Sequence, residues 1–174
     1  MEEYINQPFM KYFTKISLLS ILLSTVLLCS CNQKENLNKE IIKSYNQGDY
    51  NDVKAAITDY VEGLYLVDST KIDKSVDLKL RKVGYWYHPE KKEYIDNLEM
   101  THAQLSKLAA TWNKDGNRAN DNSIKEIEIF DVNTKTASAK LTAEWGIDLF
   151  HLAKVDDKWK IVNVIWQSQP DDKN

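Results

Sequence analysis

Cysteine is almost missing from this chain: its 174 residues hold two, Cys29 and Cys31, both close to the amino terminus. Beyond residue 31 there is no thiol, which excludes a disulfide framework, thiolate metal sites and a thioester-bound intermediate from everything downstream. Glycine is scarce too, with five residues, all isolated, so no glycine-rich phosphate loop is present. Three histidines, His88, His102 and His151, are scattered and have no cysteine partners, so no metal set stands at recognisable spacing. Charge of one sign is lacking as well: 23 basic and 26 acidic residues are interspersed and leave a net charge of −3, which argues against a nucleic-acid groove. No internal repeat and no low-complexity segment occurs.

Long hydrophobic runs are also missing, with one short exception. Residues 16–28 are uncharged and apolar, but thirteen residues rise only about 20 Å as a helix against a hydrocarbon core of about 30 Å. Lys11 and Lys15 precede the run and the polar residues 32–36 come after it, the layout of a secretory signal peptide spanning residues 1–30. Glu2 and Glu3 are foreign to a basic leader, so the start is read as either Met1 or Met10. Leu28-Cys29-Ser30-Cys31 resembles a bacterial lipobox, with Cys29 where a small residue is usual. The resemblance implies that Cys31 is lipidated and becomes residue one, anchoring the protein to a membrane of the cell envelope. Asn32, in place of an inner-membrane retention aspartate, implies the outer membrane of a Gram-negative bacterium. The alternatives are two ordinary apolar leader residues, or a short and strained disulfide.

The chain beyond the leader is long enough for one domain with one core. Residues 31–51 are polar without a sustained apolar period and read as a tether. A domain is expected over 52–169, with a polar tail at 170–174. Val53, Ala56, Ile57, Tyr60, Val61, Leu64 and Val67 recur at helical spacing after a cap at Asn51 or Asp52. Asp68-Ser69-Thr70 caps a short second helix ending near Val76. A strand over 80–88 and a returning strand over 94–100 come next. Thr101 with Gln104 forms a capping box ahead of Leu105, Leu108, Ala109 and Trp112 on one face of a third helix. After a loop at 113–122, four runs read as a meander of strands ending in a hairpin about Asp156-Asp157.

The faces of that meander can be laid out from the turns. A two-residue loop at Asp156-Asp157 pairs Val155 with Lys158, Leu152 with Ile161, Phe150 with Asn163 and Asp148 with Ile165. One face then carries Asp148, Phe150, Leu152 and Lys154, with Trp159, Ile161, Asn163, Ile165 and Gln167. A loop at Gly146-Ile147 adds Trp145, Ala143, Leu141 and Ala139 to it, while Lys140, Thr142 and Glu144 point away. Ile127 and Ile129 join it from the first of the four strands. The opposite face gathers Leu149, Ala153, Val162, Val164 and Trp166 into an apolar stripe. That stripe predicts a homodimer through the outer face of the last two strands, or else a cover supplied by the amino-terminal segment.

The order helix, short helix, hairpin, helix, four antiparallel strands resembles the nuclear transport factor 2-like (SnoaL-like) fold. Within it the chain is similar to the family called "Putative lumazine-binding". The residues that carry this are Asp77-Leu78-Lys79, the hairpin 85–100 running into Thr101-His102-Ala103-Gln104-Leu105, Trp112-Asn113, Ala137-Ser138-Ala139, Asp148-Leu149-Phe150-His151-Leu152, and the final strand from Trp159 to Trp166. Ser75-Val76 stand where relatives often have His-Pro, so no role for that histidine carries over. The resemblance implies an α+β cone, a curved antiparallel sheet wrapped around about three helices. It implies no particular chemistry.

The inner face is apolar near Asp156-Asp157 and turns polar at Asp148, Asn163 and Gln167, with Trp145 beside them. An apolar wall with a few convergent polar groups suits a small organic ligand, so these four residues are the expected binding set. Rim residues in water are the alternative. Enzymes of the resembled fold move protons with a pocket Asp or His, which makes Asp148 the candidate base should there be a reaction of isomerase or cyclase type. No partner for it is evident, since His151 lies on the opposite strand face. A non-catalytic binding lipoprotein without cofactor or metal is therefore the favoured expectation, a pocket enzyme or a partner-docking structural subunit the alternatives.

Overall fold

The computed structural model describes residues 47–169. The expected leader, Cys31, residues 31–46 of the expected tether and the tail 170–174 lie outside the described residues. In chain order the elements are α1 (Gln47–Tyr65), α2 (Ser69–Ser75), β1 (Val76–His88), β2 (Glu93–Met100), α3 (His102–Ala109), β3 (Lys125–Val132), β4 (Thr136–Ala143), β5 (Gly146–Val155) and β6 (Lys158–Gln167). Three helices cover one face of an open six-stranded sheet of order β2-β1-β6-β5-β4-β3, in which only the β1–β6 pair is parallel. The α+β architecture is the one anticipated.

Helix α1 starts five residues before Asp52. Asp49 explains the extension: it lies in the first turn, where a carboxylate suits the helix dipole. Its Oδ1 accepts hydrogen bonds from Lys154 Nζ at 2.6 Å and Trp159 Nε1 at 2.8 Å, pinning the helix start to β5 and β6. Along α1 the expected row Val53, Ala56, Ile57, Tyr60, Val61 and Leu64 is buried. Val67 does not extend it, because its left-handed φ of 59° lies in the turn where Asp68 caps α2 by accepting from Thr70 N. The polar side of α1 is tied down by ions. Lys71 reaches Asp59 and Glu62, both at 3.1 Å, Lys74 reaches Asp59 at 2.6 Å, and Lys125 of β3 reaches Glu62 at 3.2 Å. Glu62 is held below the usual carboxylate range chiefly by the hydrogen bond from Lys71. Burial pushes Asp59 up, but hydrogen bonds from Lys74 and Lys71 outweigh it and hold that carboxyl low as well. The Thr101–Gln104 capping box at α3 is present in full.

Two turns set the register of the last three strands. Asp156 and Asp157 both take positive φ, 47° and 56°, as a two-residue hairpin turn of the twist-matched kind requires, and Val155 pairs with Lys158 and Leu152 with Ile161 as anticipated. The β4–β5 loop is Glu144-Trp145 rather than Gly146-Ile147, so Leu141 faces Asp148 and Ala139 faces Phe150. That shift is an even number of residues, and even shifts keep every side chain on its own face. Ala139, Leu141, Ala143, Asp148, Phe150 and Leu152 are accordingly all buried.

The last strand departs from the expectation by an odd step. A bulge opposite His151 and Leu152 lets Ile161 pair with Leu152 while Asn163 pairs with His151, so Val162 is the extra residue. From there on β6 is flipped: Phe150 pairs with Val164 and Asp148 with Trp166. Val164 is fully buried and Trp166 packs against the core, whereas Asn163 is half-buried on the outer face, Ile165 is 44% exposed and Gln167 is exposed. The outer stripe expected from Leu149, Ala153, Val162, Val164 and Trp166 does not form as such, since its two largest β6 members point inward. Fully burying side chains such as Phe150, Leu152, Ile161 and Val164 stabilises the fold by about 1.5–3 kcal/mol each before entropy costs, and the bulge is what lets the β6 residues share in it.

Candidate functional site: an aromatic cup over a buried ion pair

Between the helices and the inner face of the sheet lies a cavity of about 90 Å³ lined by Tyr60, Leu64, Lys82, Met100, Leu105, Leu108, Trp112, Trp145 and Trp166. Five elements and two connecting segments give one or two residues each. Tyr60 and Leu64 come from the apolar row of α1, Leu105 and Leu108 from α3, Lys82 from β1, Met100 from the end of β2, and Trp166 from β6. Trp145 stands in the β4–β5 turn, which is held from below: Tyr65 Oη donates to Ile124 O at 2.6 Å and accepts from Glu144 N at 2.9 Å. Burial pushes the Tyr65 hydroxyl up to about 12, so it stays a donor. Trp112, just beyond α3, is fixed by its neighbour Asn113. Asn113 Nδ2 donates to Tyr65 O and Ala119 O, and its Oδ1 accepts from Arg118 N and Ala119 N, all within 3.1 Å. Trp112 stacks on Tyr65 at 5.8 Å and meets Trp145 edge-on at 5.3 Å.

At one end of the cup sits a buried charge pair. Lys82 Nζ lies 2.9 Å from Asp148 Oδ1 and 2.7 Å from Tyr60 Oη, and Trp145 Nε1 donates to Asp148 Oδ2 at 2.6 Å. Tyr60 Oη also reaches Asp148 Oδ1 at a long 3.5 Å. Asp148 is 0% exposed and Lys82 5%. Burial lowers the proton affinity of Lys82, and the adjacent Asp148 opposes that change. Burial, followed by the charge of Asp148, pushes the Tyr60 hydroxyl well above its ordinary value. The Lys82 ammonium also lies over two rings, 5.4 Å from that of Tyr60 and 5.3 Å from that of Trp166.

Of the four residues expected to bind a ligand, the fold brings Trp145 and Asp148 into hydrogen-bond contact and leaves the other two elsewhere. Asn163 is on the outer face, 3.5 Å from His151 Nδ1, and Gln167 is exposed; the bulge at Val162 separates both from the cup. The residues that sequence reasoning passes over are Tyr60, Lys82, Trp112 and Trp166. Tyr60 and Trp112 read as core alone. Lys82 leaves a usable signal, because a carboxylate on an inner face needs a cation and Leu80, Lys82 and Gly84 form one alternating row of β1.

Asp148 itself does not border the cavity. Lys82, Tyr60 and Trp145 do, and they surround its carboxylate with donors. Among the described residues no three histidine, cysteine or carboxylate side chains gather where they could hold a metal ion.

The sequence pattern of the family described as "Putative lumazine-binding" matches residues 48–167, well over half of the chain. The chain belongs to that family. A nuclear transport factor 2-like protein of unknown function from Shewanella baltica OS155 is 20% identical, with a TM-score of 0.52 over 72% of this chain and 98% of that one, which supports the same fold for this lumazine-binding-family domain. Another nuclear transport factor 2-like protein of unknown function, from Silicibacter pomeroyi DSS-3, is 16% identical at a TM-score of 0.49, covering 70% and 97% of the two chains. No curated protein matches the chain. The domain is thus a ligand-binding type of nuclear transport factor 2-like module. None of its helices among the described residues is long and apolar enough to cross a membrane.

Proposed function

We propose that this protein is a non-catalytic receptor of the cell envelope, held to the outer membrane by a lipid on Cys31, that binds a compact small molecule in the aromatic cup. The single observation behind the non-catalytic reading is the state of Asp148. Both oxygens of the Asp148 carboxylate are engaged, by Lys82 and by Trp145, and Lys82 and Tyr60 stand between it and the space a ligand would fill. A general base must reach the proton it removes within hydrogen-bond distance. An ion-paired carboxylate behind its own counter-ion is better suited to holding the wall in shape. The apolar lining with a few fixed polar groups is the composition of a binding site. The anchor rests on the leader and the lipobox-like residues 28–31.

Binding is tested with uncharged one-ring compounds followed by the indole N–H signals in NMR. Trp112, Trp145 and Trp166 should shift on titration, while Trp86, which is 40% exposed and outside the lining, should not. Shifts confined to Trp86 would refute the cup as the site. Turnover of any such compound that Asp148→Asn abolishes would refute the non-catalytic part. For the anchor, Cys31→Ser should move the full chain from the membrane to the soluble fraction; unchanged partition would remove the lipid from the proposal.

A further inference from the structure

Hydrogen-bond capacity in the cup is one-sided. The ammonium of Lys82 carries three protons and meets two acceptors, Tyr60 Oη and Asp148 Oδ1, so one N–H is left without an acceptor among the described residues. Trp166 Nε1 is buried and has no hydrogen-bond partner there either. Its ring edge lies directly on Gly84, where Nε1 occupies the space a Cβ would need, and its ring stands 5.3 Å from Lys82 Nζ. Of the two, Lys82 borders the cavity with a proton to spare, while Trp166 Nε1 lies against Gly84. Among the described residues the lining contains no carboxylate and no side-chain amide, and its one phenolic oxygen already accepts from Lys82. A buried donor left unmade is costly, which gives a ligand that supplies an acceptor an advantage over one that does not.

Charge narrows the choice. A cationic ligand would be repelled by the Lys82 ammonium and would find no carboxylate among the described lining residues to offset that. An anionic one would add a second negative charge to a buried pair, Lys82 and Asp148, that is already neutral, and burying an uncompensated charge is expensive. The small cavity and the faces and edges of Trp112, Trp145 and Trp166 suit a single flat ring. We infer that the cup selects an uncharged ring compound through one acceptor oxygen, of carbonyl type, placed against Lys82. This deepens the binding function proposed above and rests on it.

The test uses four probes of similar size on the full chain: acetophenone, ethylbenzene, 1-phenylethylamine and benzoate, each titrated against the indole N–H signals. Acetophenone should bind at least about tenfold tighter than ethylbenzene, the gain expected of a hydrogen bond to a charged donor, and tighter than the amine or the benzoate. The infrared carbonyl stretch of bound acetophenone should fall relative to that in hydrocarbon, a readout that needs no variant. Because Lys82→Met alone strands Asp148, the matching variant is Lys82→Met with Asp148→Asn, which should erase the preference for acetophenone, read as the ratio of its affinity to that of ethylbenzene in the same variant. Equal affinity for acetophenone and ethylbenzene, or tighter binding of amine or benzoate, would overturn the inference while leaving the receptor reading intact. Parallel weakening of both neutral probes in the double variant would also overturn it, by showing that Lys82 acts through shape. Failure of all four to bind would overturn the receptor reading itself.

Discussion

Lys82→Met should lower the unfolding free energy by about 3–5 kcal/mol, and adding Asp148→Asn to it should restore most of the loss. The single variant keeps the volume of the side chain and removes only the cation, so the fully buried Asp148 carboxylate is left with Trp145 and Tyr60, two neutral donors. Against a typical total of about 5–15 kcal/mol for a domain, such a loss brings the chain near unfolding at ambient temperature. The second substitution neutralises the stranded group while its amide oxygen can still accept from Trp145. Urea titrations followed by tryptophan fluorescence measure both. If single and double variants lost the same amount, the ion pair would not be what makes either residue costly to change.

Gly84→Ala should cost about 1–3 kcal/mol, the usual range for overpacking, and should abolish acetophenone binding. A Cβ at this position would stand 1.9 Å from Nε1, 2.0 Å from Cε2 and 2.4 Å from Cζ2 of Trp166. No rotation of a methyl group relieves that, so the indole has to leave the wall, taking with it the ring face beside Lys82. The Trp166 indole N–H signal should move strongly while that of Trp112 stays near its place. A double-mutant cycle with Trp166→Val separates the two effects, since the smaller side chain makes room for the added methyl and the two changes should be far from additive in stability. An unmoved Trp166 signal in Gly84→Ala would show that the close approach is not what holds the indole.

Most of the fold is legible in the sequence because β4 and β5 alternate cleanly. Ala139, Leu141 and Ala143 face inward between Lys140, Thr142 and Glu144, and a misplaced loop does no harm since its error is even. The site is half legible because β6 does not alternate after Ile161. Val162, Val164 and Trp166 make one apolar row, Ile161 and Ile165 are apolar in the other, and either parity gives a plausible face. Extending the hairpin register past Ile161 assumes an unbroken ladder, which puts Asn163 and Gln167 inside. Comparing the two candidate rows by the apolar volume they bury favours Val164 and Trp166 and requires a one-residue bulge between them and Ile161. Tyr60 and Lys82 are hidden for another reason. Nothing local marks a helix tyrosine as the partner of a carboxylate 88 residues away, and the strand lysine, 66 residues away, is signalled only by that carboxylate's need for a cation.

Those separations bear on how the molecule comes into being. The first strand of the sheet is zipped to the last, side by side and parallel, so among the described residues β1 has β2 as its only strand partner until the final ten-residue strand exists. A nascent chain that has emerged as far as Asp148 holds every charged member of the cup and still cannot close it, because the strand that joins β1 to β5 is yet to come. Long-range closure of this kind is slow compared with local helix pairing. The protein therefore acquires its binding surface in one late event, when the carboxy-terminal strand docks between two partners that until then have not met.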